Sequence, residues 1–156
     1  MENDQPAADA FESMNFESIA QPYLFMAVAA GLCALFMAVT FLQSGFNKLG
    51  QYGENKAYFV SQVEQTFLKH FAGIIWPLIV LLELLSGIIS LAGVVLVFIN
   101  GSMDLIGLGC ILSALTLICL LFGQRVAKDY AGAASLTGYF IIAVIGVIGY
   151  AWGGAF

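Results

Sequence analysis

The residue best placed to do chemistry is Glu83. It stands among leucines, Leu82, Leu84 and Leu85, inside a long apolar run. It lies nine residues past Ile74, about 13 Å along a helix and near the middle of a bilayer. A carboxyl at that depth costs about 3 kcal/mol even on the most lenient insertion scale, so it has to face a bundle interior, a partner chain or a wet cavity. Ser86, Gly87 and Ser90 follow at i+3, i+4 and i+7, a small polar stripe on the same helix face. The end of the preceding apolar run offers Thr40, Gln43, Ser44 and Asn47, then Lys48. The flexible stem of Lys48 could reach inward to Glu83 or outward to lipid head groups. Glu83 then reads either as a polar staple between helices or as a ligand-contacting or proton-handling group.

The other reactive side chains offer less. Cys33, Cys110 and Cys119 all fall in apolar runs with no C-x-x-C spacing, and read as small buried hydrophobes. His70 is the single histidine, so neither a bis-histidine haem nor a histidine-rich metal site can be built from this chain alone. No dinucleotide fingerprint, P-loop, H-E-x-x-H or nucleophile elbow occurs. The expectation is no catalytic residue, no metal site and no cofactor of the chain's own.

The elements that must hold these residues follow from composition. The chain has 156 residues, 61% hydrophobic and only 10% charged, with a mean hydropathy of +0.94. Soluble domains carry about 25% charge, so an ordinary soluble domain is excluded. Five basic residues, Lys48, Lys56, Lys69, Arg125 and Lys128, stand against ten acidic ones. That balance excludes a nucleic-acid footprint. Four apolar runs, at about 23–46, 74–99, 105–122 and 136–152, each approach the ~20 residues a helix needs to cross hydrocarbon. They lack the alternation of barrel strands, which leaves helices. The fold class expected is all-α: an integral membrane four-helix bundle over residues 21–156, preceded by an acidic tail over residues 1–20. The tail has no basic n-region, so no signal peptide is read. It is expected to be a solvated terminus, or a docking strip using Phe11, Met14 and Phe16.

The connections carry further expectations. Pro22 is placed at the start of the first helix and Pro77 in the first turn of the second, where a missing N–H costs nothing. Val60, Val63, Phe67 and Phe71 recur at helical spacing and predict an amphipathic interfacial helix over residues 55–73, between the first two spans. A short N-G turn over residues 100–104 joins spans two and three, and a loop over residues 123–135 joins spans three and four. All five bases then lie at one side, which the positive-inside rule assigns to the cytoplasm, with both termini opposite. Gly149 and Gly153, with Gly146 and Tyr150, mark a close helix contact, as do Gly107, Cys110, Ser113 and Thr116. Trp76, Tyr139, Tyr150 and Trp152 read as aromatic anchors near span ends.

Two segments resemble a known family. FLQSGFNKL over residues 41–49 is similar to the F-L-x-x-G-x-x-K-L signature of the DoxX-like membrane proteins, and LELLSGIISLAG over residues 82–93 is similar to their E-L-x-x-G motif. Gly45, Lys48, Glu83 and Gly87 match the motif positions. The resemblance implies a four-helix bundle in a bacterial or archaeal inner membrane, linked to quinone-dependent redox assemblies. Lys48, Glu83, Ser44 and Gly87 become the candidate contacts for a quinone or lipid. The first functional expectation is an accessory subunit of a quinone-linked respiratory or other redox complex, packed against larger membrane subunits. The alternatives are the membrane subunit of a thiosulfate:quinone-type oxidoreductase, or a homo-oligomeric transporter or lipid-handling protein.

Overall fold

The computed structural model describes the backbone of residues 5–153 and side chains from residue 22 onward. Among these residues five α-helices run in order: α1 (Gln5–Gly50), α2 (Tyr52–Val63), α3 (Ala72–Asn100), α4 (Asp104–Val126) and α5 (Tyr130–Gly153). A 3₁₀ turn, Phe67–Phe71, leads directly into α3. Four segments are long and apolar enough to cross a membrane: Pro22–Gly50, Phe67–Asn100, Asp104–Val126 and Tyr130–Gly153. The protein is therefore an all-α, multi-pass bundle built for a lipid bilayer. Its outward residues agree, with Ile74, Phe98 and Ile99 among the large apolar side chains left exposed.

The four spans form a ring. α1 packs on α3 and α5, and α4 packs on the same two, so α1 and α4 face each other diagonally. Small residues set the spacing. On α5, a Cβ at Gly149 would fall 2.8 Å from the Met26 carbonyl oxygen, and one at Gly153 would fall 2.5 Å from the Ala27 nitrogen. Gly146 leaves room for Cys110 and Cys33. α5 is thus drawn onto α1 along its C-terminal half, which is the close contact the glycine spacing predicts. Gly138, toward the other end of α5, has nothing within 4 Å of where its Cβ would stand. The two helices are tight at one end and open at the other.

Several local expectations are corrected. Pro22 lies inside α1, whose helical backbone continues back to Gln5, and Pro77 lies in the second turn of α3. Each removes one intrahelical N–H. The side chains of the acidic tail, with Phe11, Met14 and Phe16, lie outside the described residues. The helix expected over residues 55–73 is broken at Thr66. Its backbone is extended, its hydroxyl accepts from the Leu68 N–H at 3.2 Å, and it donates to the Val63 carbonyl at 2.8 Å. A threonine in that geometry caps a new helical turn instead of continuing the old one. The break also rotates the buried face. Val63, Leu68 and Ala72 form the covered set, with Phe59, Ile75 and Val126 against them, while Val60, Phe67 and Phe71 stay exposed.

The connection between the last two spans is only residues 127–129, because α4 runs on through Val126 past its apolar part and α5 already begins at Tyr130. Lys128 takes a left-handed φ of 61°, and the Asp129 carboxylate accepts from the Gly132 N–H at 2.9 Å to cap α5. The ends of α1 and α4 and the starts of α3 and α5 share one end of the ring, so all five basic residues gather there.

Candidate functional site

α1 and α3 approach closely because each offers the other a glycine. A Cβ at Gly45 would fall 2.6 Å from Leu84 Cδ2, and one at Gly87 would fall 2.9 Å from the Leu42 nitrogen. These reciprocal knobs bring the polar stripes of the two helices face to face. Glu83 is 2% exposed. Lys48 Nζ donates to both carboxylate oxygens, at 2.7 and 2.6 Å, and to Ser44 Oγ at 2.7 Å. Ser44 Oγ sits 3.3 Å from each oxygen of Glu83 and bonds to them. Lys48 thus turns inward, and all three of its donors are used. Ser44, Lys48 and Glu83 form one cluster. Gly87 touches no part of it, and its role is the helix contact one turn further on.

The polar stripe continues along α3 against α4. Ser86 Oγ and Thr116 Oγ1 share a hydrogen bond of 2.9 Å, while the fully buried Ser90 and Ser113 hydroxyls have no partner. Beyond Ser90 the seam closes, where Gly93 meets the backbone of Ile106. Hydroxyls that share partners across helices hold a membrane bundle together at about 0.6 kcal/mol each.

The Lys48–Glu83 pair borders a cavity of about 770 Å³ at the basic end of the ring. Met37 and Phe41 of α1, Ile79 of α3, Leu117 of α4 and Leu136 of α5 supply apolar walls. α2 covers the end with Asn55, Tyr58, Phe59 and Gln62. The cavity reaches the bundle surface between α1 and α5, since Phe36 and Val39 line it and also stand exposed. Phe36 stacks on Tyr139 across this gap, ring centroids 5.9 Å apart. The opening is the counterpart of the glycine contact at the other end of α5. A volume of this size, mostly apolar with a few convergent polar groups, fits the general form of a small-molecule site.

Sequence reasoning missed part of this set. Trp76, expected as an interfacial anchor, is 4% exposed and packs against Tyr52 and Phe59. It lines the cavity, and its indole N–H has no partner. Gln124 Oε1 is also buried without a partner at the cavity wall. A buried tryptophan and a carboxamide in an expected loop carry no sequence signal that separates them from anchors and solvated residues. His70 stays exposed and does not line the cavity. Cys33 and Cys110, far apart in sequence, meet around Gly146, and Cys119 is exposed on the bundle surface. Among the described residues no group of three His, Cys, Asp or Glu side chains is placed to hold a metal ion.

At the opposite end, Tyr150 lies over Gly107 and donates to Asp104 at 3.3 Å, with Ser102 on the other carboxylate oxygen at 3.2 Å. This cluster links α4 to α5. Compared with known proteins, the chain matches no protein-family model, no curated protein and no solved structure.

Proposed function

We propose that the chain is an accessory subunit of a quinone-linked redox complex in a bacterial or archaeal inner membrane, with its cavity holding a quinone or lipid at the interface with larger subunits. The observation that carries this reading is the cavity itself: apolar walls, a polar floor made by Lys48, Glu83 and Ser44, and an opening toward the bilayer between α1 and α5. A molecule dissolved in the membrane reaches such a site sideways, without crossing water. The chain supplies shape and hydrogen bonds, and electrons pass through the partner. The DoxX-like resemblance of residues 41–49 and 82–93 favours the same reading, since Lys48 and Glu83 are motif positions. The basic end then faces the cytoplasm.

The test is a tagged pull-down from native membranes in mild detergent, with mass spectrometry of proteins and lipophilic small molecules. The expected result is recovery with oxidoreductase subunits and a quinone. Glu83→Leu is expected to insert normally yet recover at least tenfold less quinone, or to lose the partner. A chain recovered alone as a homo-oligomer would overturn the subunit reading in favour of lipid handling or transport. Unchanged partner and quinone recovery in Glu83→Leu would overturn the site.

A further inference from the structure

The polar groups around the cavity say more about what it takes. Among the described residues, Lys48 and Glu83 are the only Lys, Arg, Asp or Glu side chains that line it. As an ion pair the two sum to zero charge. Both carboxylate oxygens and all three ammonium donors are already engaged with each other and with Ser44. An anionic head group could use Lys48 only by drawing it off a carboxylate that is 2% exposed. That would leave a charge unpaired in a low-dielectric wall. A cationic head group would leave the ammonium in the same position. Lys56, Lys69, Arg125 and Lys128 stand at the same end of the bundle but outside the lining.

What remains for a ligand is uncharged. Trp76 Nε1 is a buried donor without a partner, and Gln124 Oε1 a buried acceptor without one. Buried polar groups are nearly always paired, so an orphan of each kind at one cavity points to something that completes both. Carboxamides at Gln43, Asn47, Asn55 and Gln62 extend the same character around the rim. Each offers an acceptor and a donor and carries no charge.

We infer that the cavity selects an amphiphile with an uncharged, oxygen-bearing head group that can both accept and donate hydrogen bonds, and that it disfavours anionic lipid head groups. Hydroxyl-bearing heads on an apolar tail meet this description, whether the source is a quinol or a neutral glyceride with a free hydroxyl; a quinone carbonyl, which only accepts, would complete Trp76 alone. The inference rests on the reading of the cavity as a site for a membrane amphiphile and adds the chemistry of the head.

The test uses the full chain in phosphatidylcholine nanodiscs, with Trp152→Phe so that Trp76 is the only tryptophan. Three probes are titrated while indole emission is followed: dioctanoylglycerol, a decyl-substituted benzoquinol kept reduced under argon, and dioctanoylphosphatidylglycerol. A Trp76→Phe chain that keeps Trp152 controls for quenching in the bulk bilayer. The expected result is a saturable change at Trp76 for both neutral probes, with Kd at least tenfold below that of the phosphatidylglycerol. Gln124→Leu should raise the Kd of both neutral probes severalfold and leave that of the phosphatidylglycerol unchanged, so that the discrimination narrows. Equal or tighter phosphatidylglycerol binding would overturn the inference while leaving the cavity as an amphiphile site. No saturable change with any probe would overturn the cavity reading itself.

Discussion

At the scale of single residues, the pair of Lys48 and Glu83 is asymmetric. The Lys48 side chain is 22% exposed and that of Glu83 only 3%. Lys48 ends on a flexible stem near the basic end, so it can swing to lipid head groups if its partner is lost. Glu83 has no such escape, and Ser44 is its one other hydrogen-bond partner among the described residues. Removing one member of a buried pair costs about 3–5 kcal/mol when the remaining charge stays buried. Lys48→Met is therefore expected to destabilise the bundle by about 3 kcal/mol, and Glu83→Leu by about 1 kcal/mol. The double variant should fall closer to Glu83→Leu than to the sum, because the two sites share one interaction. Reversible unfolding in mixed detergent micelles measures all three, and additive effects would remove the pair as a stabilising unit. This pair is legible in the sequence. One carboxyl among leucines has to be buried with a partner, and a lysine at the end of the neighbouring span is within reach. Trp76 and Gln124 are not legible in the same way, because nothing in an apolar or loop context tells which side chain turns inward.

At the scale of elements, glycine decides where helices touch. Gly87 is met by Leu42 from α1, with the Leu42 backbone nitrogen 2.9 Å from where a Cβ would lie. Backbone cannot move aside as a side chain does, so Gly87→Val should push α1 and α3 apart and cost about 1–3 kcal/mol. Gly138 stands in open space on α5. Gly138→Ala should add about 0.5–1 kcal/mol of stability by favouring the helical backbone. Thermal unfolding of the two variants in one detergent should move in opposite directions, and a stabilising Gly87→Val would refute the close contact. The G-x-x-x-G of Gly149 and Gly153 announces the α1–α5 contact, but not that the contact stops before Gly138 and leaves a cavity. The spans themselves are legible to within a few residues from hydropathy alone. The breaks are not: Thr66 interrupts an amphipathic pattern that reads as continuous, and Pro22 is carried inside a helix that its position suggests it begins.

At the scale of the whole molecule, the distribution of charge gives the bundle a direction. Lys48, Lys56, Lys69, Arg125 and Lys128 lie at the end where α2 covers the cavity, and Asp104 lies at the other. Basic residues in short connections resist translocation, so the cavity end should stay in the cytoplasm. In that orientation the site would open to the cytoplasmic half of the bilayer, between α1 and α5. Single cysteines placed in a chain whose Cys33, Cys110 and Cys119 are replaced by alanine test the orientation directly. Gln65 is exposed in the break before the 3₁₀ turn, and Asn100 is exposed at the end of α3. A membrane-impermeant maleimide added to intact cells is expected to label Asn100→Cys and to spare Gln65→Cys until the cells are lysed. The reverse pattern would place the basic end and its cavity on the outer side, against the charge rule. It would then assign the site to molecules carried in the outer half of the membrane.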